Sequence, residues 1–135
     1  MSTEQEITNI RKKHFPVKTA EGFTIRMSTK NEVEAFLKKA FASVFSPQDG
    51  SLRFTTKGKR RAQNNALRKR YEMLHHEWFL FVDPKGRPVG WHMGEAEDWA
   101  TFYMRNTGIL PKHQDKGIYD AFFAVLINYL SDLGY

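Results

Sequence analysis

The chain of 135 residues contains no cysteine, which excludes a disulfide framework, a thiolate-bound zinc and a thiol nucleophile. No apolar run approaches the ~20 residues of a membrane-spanning helix, so no membrane partner is expected. The opening residues, Met1-Ser2-Thr3-Glu4-Gln5-Glu6, lack the apolar core of a secretory leader. These absences make a reducing, cytoplasmic setting the default expectation. Low-complexity linkers and internal repeats are missing too, and the length suits one domain. An apolar share of 41% is enough for a packed core and too high for a disordered chain.

One segment lacks acid. Lys57, Lys59, Arg60, Arg61, Arg68, Lys69 and Arg70 follow one another with no Asp or Glu among them. The formal net charge is +6, and this block alone supplies +7, so the remainder sums to −1. Such a patch attracts nucleic acid, phosphorylated ligands or acidic partners. A non-catalytic module holding nucleic acid or another polyanion through Lys57–Arg70 is therefore one function the sequence supports. Ala62, Ala66, Leu67, Tyr71 and Leu74 recur at helical steps, predicting a helix over 58–75 with a narrow apolar face. Its outer face has no interleaved aromatics for base stacking, and a solvated charged surface is the plainer account.

The remaining segments read in order as follows. Residues 1–19 form a polar N-terminal arm, with a short helix capped by Ser2 or Thr3 and ended at Pro16, loosely ordered unless it docks. Phe23, Ile25 and Met27 alternate with Thr24 and Arg26, the period of a strand. Val33, Phe36, Leu37, Ala40, Phe41 and Val44 give a helix to about Phe45, behind cap candidates Ser28 to Asn31, and Ser46 to Gly50 reads as a turn. Trp78-Phe79-Leu80-Phe81-Val82 is a continuous apolar run, as in a strand covered on both faces. Asp83 to Pro88 turns it into Val89 to Gly94, an antiparallel hairpin. Glu95 to Asp98 is an acidic connection to a long third strand over 99–110. The C-terminal helix, to Leu133 with Gly134 as C-cap, has Tyr119, Phe122, Phe123, Leu126, Ile127, Leu130 and Leu133 as its core face. The whole is an α+β chain with a mainly antiparallel sheet.

The most informative stretch is Thr107 to Leu133. A strand ending in Ile109-Leu110 breaks at Pro111, passes through Lys112-His113-Gln114-Asp115-Lys116-Gly117 and enters that helix. The first amides of a helix lack internal partners and its dipole adds positive charge, so an anion fits there. Lys112 and Lys116 reinforce the field. An ordinary strand-to-helix loop is the alternative.

The order of elements resembles the GNAT superfamily of N-acetyltransferases. Gln114-Asp115-Lys116-Gly117-Ile118-Tyr119 is similar to the family's (Q/R)-x-x-G-x-(G/A) pattern, with Tyr119 in place of the last small residue. Phe81 to Trp91 resembles its second and third strands. The resemblance implies a GNAT-like α+β fold with a mixed, mainly antiparallel sheet and helices on both faces, covering residues 20–135. It implies acetyl-CoA as co-substrate, bound by Ile109, Leu110, Pro111, Gln114, Asp115, Lys116, Gly117, Ile118 and Tyr119, with an amine of a small molecule or protein as acceptor and no metal. The family continues past its third helix with a strand, a helix and a final strand pair. By this resemblance the chain is expected to be an N-terminal portion, or to have its sheet completed by a second chain, as in a homodimer. Arg105 stands near where relatives carry a glutamate base, so that base is not carried over; Glu97 is taken as the candidate base, with Glu95, Asp98, Tyr103 and His92 as the other candidates. His75-His76 diverge and make no metal site.

Overall fold

The apolar run of residues 78–82 sits at the centre of the sheet. In the computed structural model, which describes residues 3–44 and 58–135, it belongs to β3 (His76–Val82). Alternation sends Phe79 and Phe81 to one side and Leu80 and Val82 to the other, and all four are buried. That is why no polar residue interrupts the run. β3 pairs antiparallel with β2 (Thr24–Met27) on one side and β4 (Pro88–Ala96) on the other. A two-residue β1 (Val17–Lys18) flanks β2, and β5 (Phe102–Ile109) flanks β4. The sheet order is β1-β2-β3-β4-β5. Every pairing is antiparallel, so the mixed sheet expected from the sequence is not found among the described residues.

Asp83 makes the β3–β4 turn. Its Oδ1 accepts the amides of Lys85 and Arg87 at 2.9 and 2.8 Å, and its Oδ2 accepts Arg87 Nε at 2.9 Å. Those bonds, the Arg87 amide foremost, hold its carboxyl below the usual range. At the far end of the hairpin the third strand begins later than the residue 99 expected. Asp98 Oδ1 accepts the Ala100 amide at 2.8 Å, and the Glu97 amide reaches Thr101 O at 2.8 Å. These bonds form a tight turn with Trp99 at its tip, 95% exposed. The acidic connection begins later too, because Glu95 and Ala96 belong to β4.

Helices cover both faces. α2 (Lys30–Val44) lays Val33, Phe36 and Leu37 on the Leu80, Val82 and Trp91 side. α4 (Ile118–Leu133) covers the other side with Ile118, Phe122, Leu126, Tyr129 and Leu130. This differs from the expected core face. Tyr119, Phe123 and Ile127 are 43, 41 and 50% exposed, because the apolar arc of α4 is wider than the sheet it covers.

The N-terminal arm docks. α1 (Thr3–His14) packs on α4, and Phe15 beyond it enters the core between Phe79 and Tyr129. α3 (Gly58–Glu72) ends three residues before the expected His75. Its supposed apolar face is not covered, since Leu67, Tyr71 and Leu74 are all exposed. The Ser46–Gly50 turn and Lys57 lie outside the described residues.

Candidate functional site

β5 delivers the chain to the loop. The Leu110 amide donates to Val89 O at 2.8 Å, so Leu110 faces β4. Antiparallel alternation then directs the N–H and C=O of Ile109 away from β4. Among the described residues β5 is the last strand of the sheet, so that side is its open edge. The Ile109 carbonyl there accepts Gln114 Nε2 at 3.0 Å, which folds the loop back onto the strand end. Between them Pro111–His113 form a single 3-10 turn.

Two residues in the loop adopt left-handed backbone. Asp115 has φ 61° and Gly117 φ 73°. Gly117 is the N-cap of α4 and no side chain caps that end. Among the described residues, then, no side chain caps the first amides of the helix, which have no partner within it. A Cβ placed on Gly117 would meet no atom within 4 Å, so the glycine answers to its backbone conformation and to open space above it. A cavity of about 240 Å³ occupies that space, lined by Ile109, His113 and residues 114–120. Asp120 adds one negative charge to the first turn.

Seven of the nine cofactor-binding residues expected from the sequence meet in this cavity. They are Ile109, Gln114, Asp115, Lys116, Gly117, Ile118 and Tyr119. Leu110 and Pro111 lie outside its lining. Ile118 offers only backbone, because its side chain is in the core. Tyr119 neither turns inward nor closes the loop, and its ring stacks on Phe123 at 6.0 Å. His113 is half-buried and meets the Phe23 ring edge-on at 5.6 Å. Nothing in the local sequence signals this contact with the residue that leads into β2.

Glu97 is not brought to the loop. β5 runs from Phe102, paired with Ala96, to Ile109, paired with Gly90. Glu97 thus stands near one end of the strand and Ile109 at the other, roughly 20 Å apart at strand rise. Glu97 instead shares a cleft of about 300 Å³ with Tyr71, Leu74, Glu95, Ala96, Tyr103 and Arg105. Glu95 is 4% exposed and its Oε1 accepts Arg105 Nε at 2.7 Å and Arg105 Nη2. The guanidinium also lies 5.5 and 5.2 Å from the Tyr71 and Tyr103 ring centres. This grouping was missed in the sequence, where Arg105 and Glu95 are ten residues apart and α3 is remote. Asp98 is committed to its turn, where the Ala100 amide first of all keeps its carboxyl low.

His92 is sealed in the core beneath Phe79, Phe102 and Phe122. Its Nδ1 bonds Thr107 Oγ1 at 2.5 Å and its Nε2 has no partner. Burial pushes its pKa down to about 4, so the ring is neutral and out of reach of a substrate. Among the described residues no group of three or more His, Asp or Glu is placed to hold a metal ion. No described helix is long and apolar enough to cross a membrane. No protein-family model matches the chain, and no curated protein matches it.

Proposed function

We propose that the chain has a GNAT-like arrangement and acts as an N-acetyltransferase, passing the acetyl group of acetyl-CoA to an amine. The observation that carries this reading is the uncapped N-terminus of α4, set directly at the end of β5's open edge. The order strand, two helices, three-strand meander, loop and helix supports it as well. In this reading the amides of residues 116–119 hold the pyrophosphate, and Lys116 adds charge. The carbonyl of Ile109 is held by Gln114, while its N–H stays free on the edge to polarise the thioester carbonyl.

The amine nitrogen attacks that carbonyl carbon, a C–N bond forms, and the C–S bond breaks. The thiolate leaves with the CoA, and the proton of the former ammonium passes to water. Calorimetric titration of acetyl-CoA into the full chain tests the reading. Saturable heat that is lost on Gly117→Ala is expected. No heat at roughly 1 mM ligand, the weakest end of specific binding, would overturn it.

A further inference from the structure

α3 differs from the other helices. α1, α2 and α4 each bury or half-bury part of their surface, whereas every α3 residue with a described side chain is exposed. Its cations are also unspent. Arg68 pairs with Glu72 at 3.3 Å, and Glu72 is shared with Lys30 at 2.7 Å. Among the described residues Lys59, Arg61, Lys69 and Arg70 form no ion pair.

The helix has two sides. Arg68, Tyr71 and Glu72 line a cleft of about 490 Å³ with Lys30, Trp78 and Met93, so this side faces the sheet. At 100° per residue, Lys59, Gln63, Ala66 and Arg70 fall on the opposite side, with Ala62 and Lys69 adjoining one flank and the exposed Leu67 the other. The outward surface is three cations and an amide around two methyl groups, bordered by Leu67.

We infer that this outward face of α3 binds the phosphate backbone of double-stranded DNA without sequence preference. A membrane-surface helix would need several bulky apolar residues between its cations, and this face has Ala62 and Ala66 there with one bulky residue, Leu67, at its margin. A single-strand binder would need aromatic platforms, and the helix's one aromatic, Tyr71, faces the cleft. The small residues let the helix axis come close to a duplex, whose major groove admits a helix. Fifteen residues span ~22 Å, or about six base-pair steps, enough for Lys59, Lys69 and Arg70 to reach separate phosphates.

Fluorescence anisotropy with a labelled 20-base-pair duplex tests this on the full chain. Three phosphate contacts predict a log–log salt slope of about −2.7, a loss of roughly 40-fold in affinity between 50 and 200 mM salt. The triple variant Lys59→Gln, Lys69→Gln, Arg70→Gln removes exposed charges that form no ion pair among the described residues and should keep its circular dichroism spectrum. It is expected to bind the duplex at least about 10-fold more weakly at 50 mM salt. Wild-type binding that ignores salt, or an unchanged affinity in the triple variant, overturns the inference. So does tighter binding to phosphatidylglycerol vesicles or to the matching single strand. The triple variant leaves the α4 loop intact, so acetyl-CoA titration and DNA binding can fail independently.

Discussion

The Tyr129 hydroxyl donates to Glu77 Oε1 at 2.6 Å across the junction of α4 and β3. The same oxygen takes His75 Nε2 at 2.6 Å and Arg11 Nη2 at 3.4 Å, and Arg11 Nε reaches the Tyr129 oxygen at 3.3 Å. A carboxylate 1% exposed is thereby matched with donors from α1, from the residue just before β3 and from α4. Burial first, and then the Glu77 charge, raises the Tyr129 phenol well above its ordinary range. Because the folded pKa is raised, this contribution is complete below about pH 10 and erodes as the pH climbs further.

Tyr129→Phe should keep the ring contacts with Phe15 and Phe79 and remove one donor from a buried charge. A loss of about 1–3 kcal/mol in urea unfolding is expected. A change under about 0.5 kcal/mol would mean that His75 and Arg11 alone satisfy Glu77.

His92 sets a separate pH window. Its folded pKa of about 4 lies below the ordinary 6.5, so the unfolded chain binds the proton first. Stability is full above about pH 6.5 and falls toward pH 4, by on the order of 3 kcal/mol if this group acts alone. The carboxyls that hydrogen bonds depress, Asp83, Asp98 and Asp132 among them, lose their contribution at lower pH. Unfolding curves of His92→Leu between pH 4 and 6.5 should be flatter than those of the wild type. Parallel curves would refute the assignment.

Trp91 leaves no room beside it. Its indole Nε1 donates to Asn106 Oδ1 at 2.8 Å, and its ring lies over Gly108 so closely that a Cβ there would overlap ring carbons. Gly108→Ala should cost about 2–3 kcal/mol through forced displacement of the buried ring. Thermal unfolding measures it, and a melting temperature equal to the wild type's would show that the indole can move.

The loop and the cleft separate in a paired experiment. Gly117→Ala places a side chain at φ 73°, costing about 1 kcal/mol of stability, and puts a methyl into the cavity, so acetyl-CoA affinity should fall at least about 10-fold. Glu97→Gln, near the far end of β5, should leave that affinity within about 2-fold of the wild type. Equal losses in the two variants would contradict the geometry.

Much of this fold is written in local patterns. The run Trp78–Val82 announces a strand buried on both faces, Asp83 and Gly86 announce the turn, and Gly134 closes α4 in left-handed backbone. What could not be read depends on partners far along the chain. The arm looked detachable because Arg11 shows no apolar pattern, yet it reaches Glu77 66 residues away. The helical period of Leu67, Tyr71 and Leu74 said only that they share a side, not that nothing covers it. On α4 seven apolar positions span an arc that the sheet fills only in part, and hydrophobicity alone does not separate Phe122, which is buried, from Phe123, which is not. At the candidate site the loop was legible as a contiguous motif. The Glu95–Arg105–Tyr71 grouping was not, since it needs three elements brought together.

The one-sided pairing of β5 has a kinetic signature. From residue 107 to residue 110 its amides alternate between β4 and the unpaired side of the sheet. In deuterated solvent neighbouring residues of one strand should therefore behave differently. Gly108 and Leu110 should exchange only when the sheet opens, and Thr107 and Ile109 at near solvent-limited rates. Such a comb of slow and fast amides would vanish once any molecule lies along that margin. It would report occupancy residue by residue, without a label and whatever the occupant is.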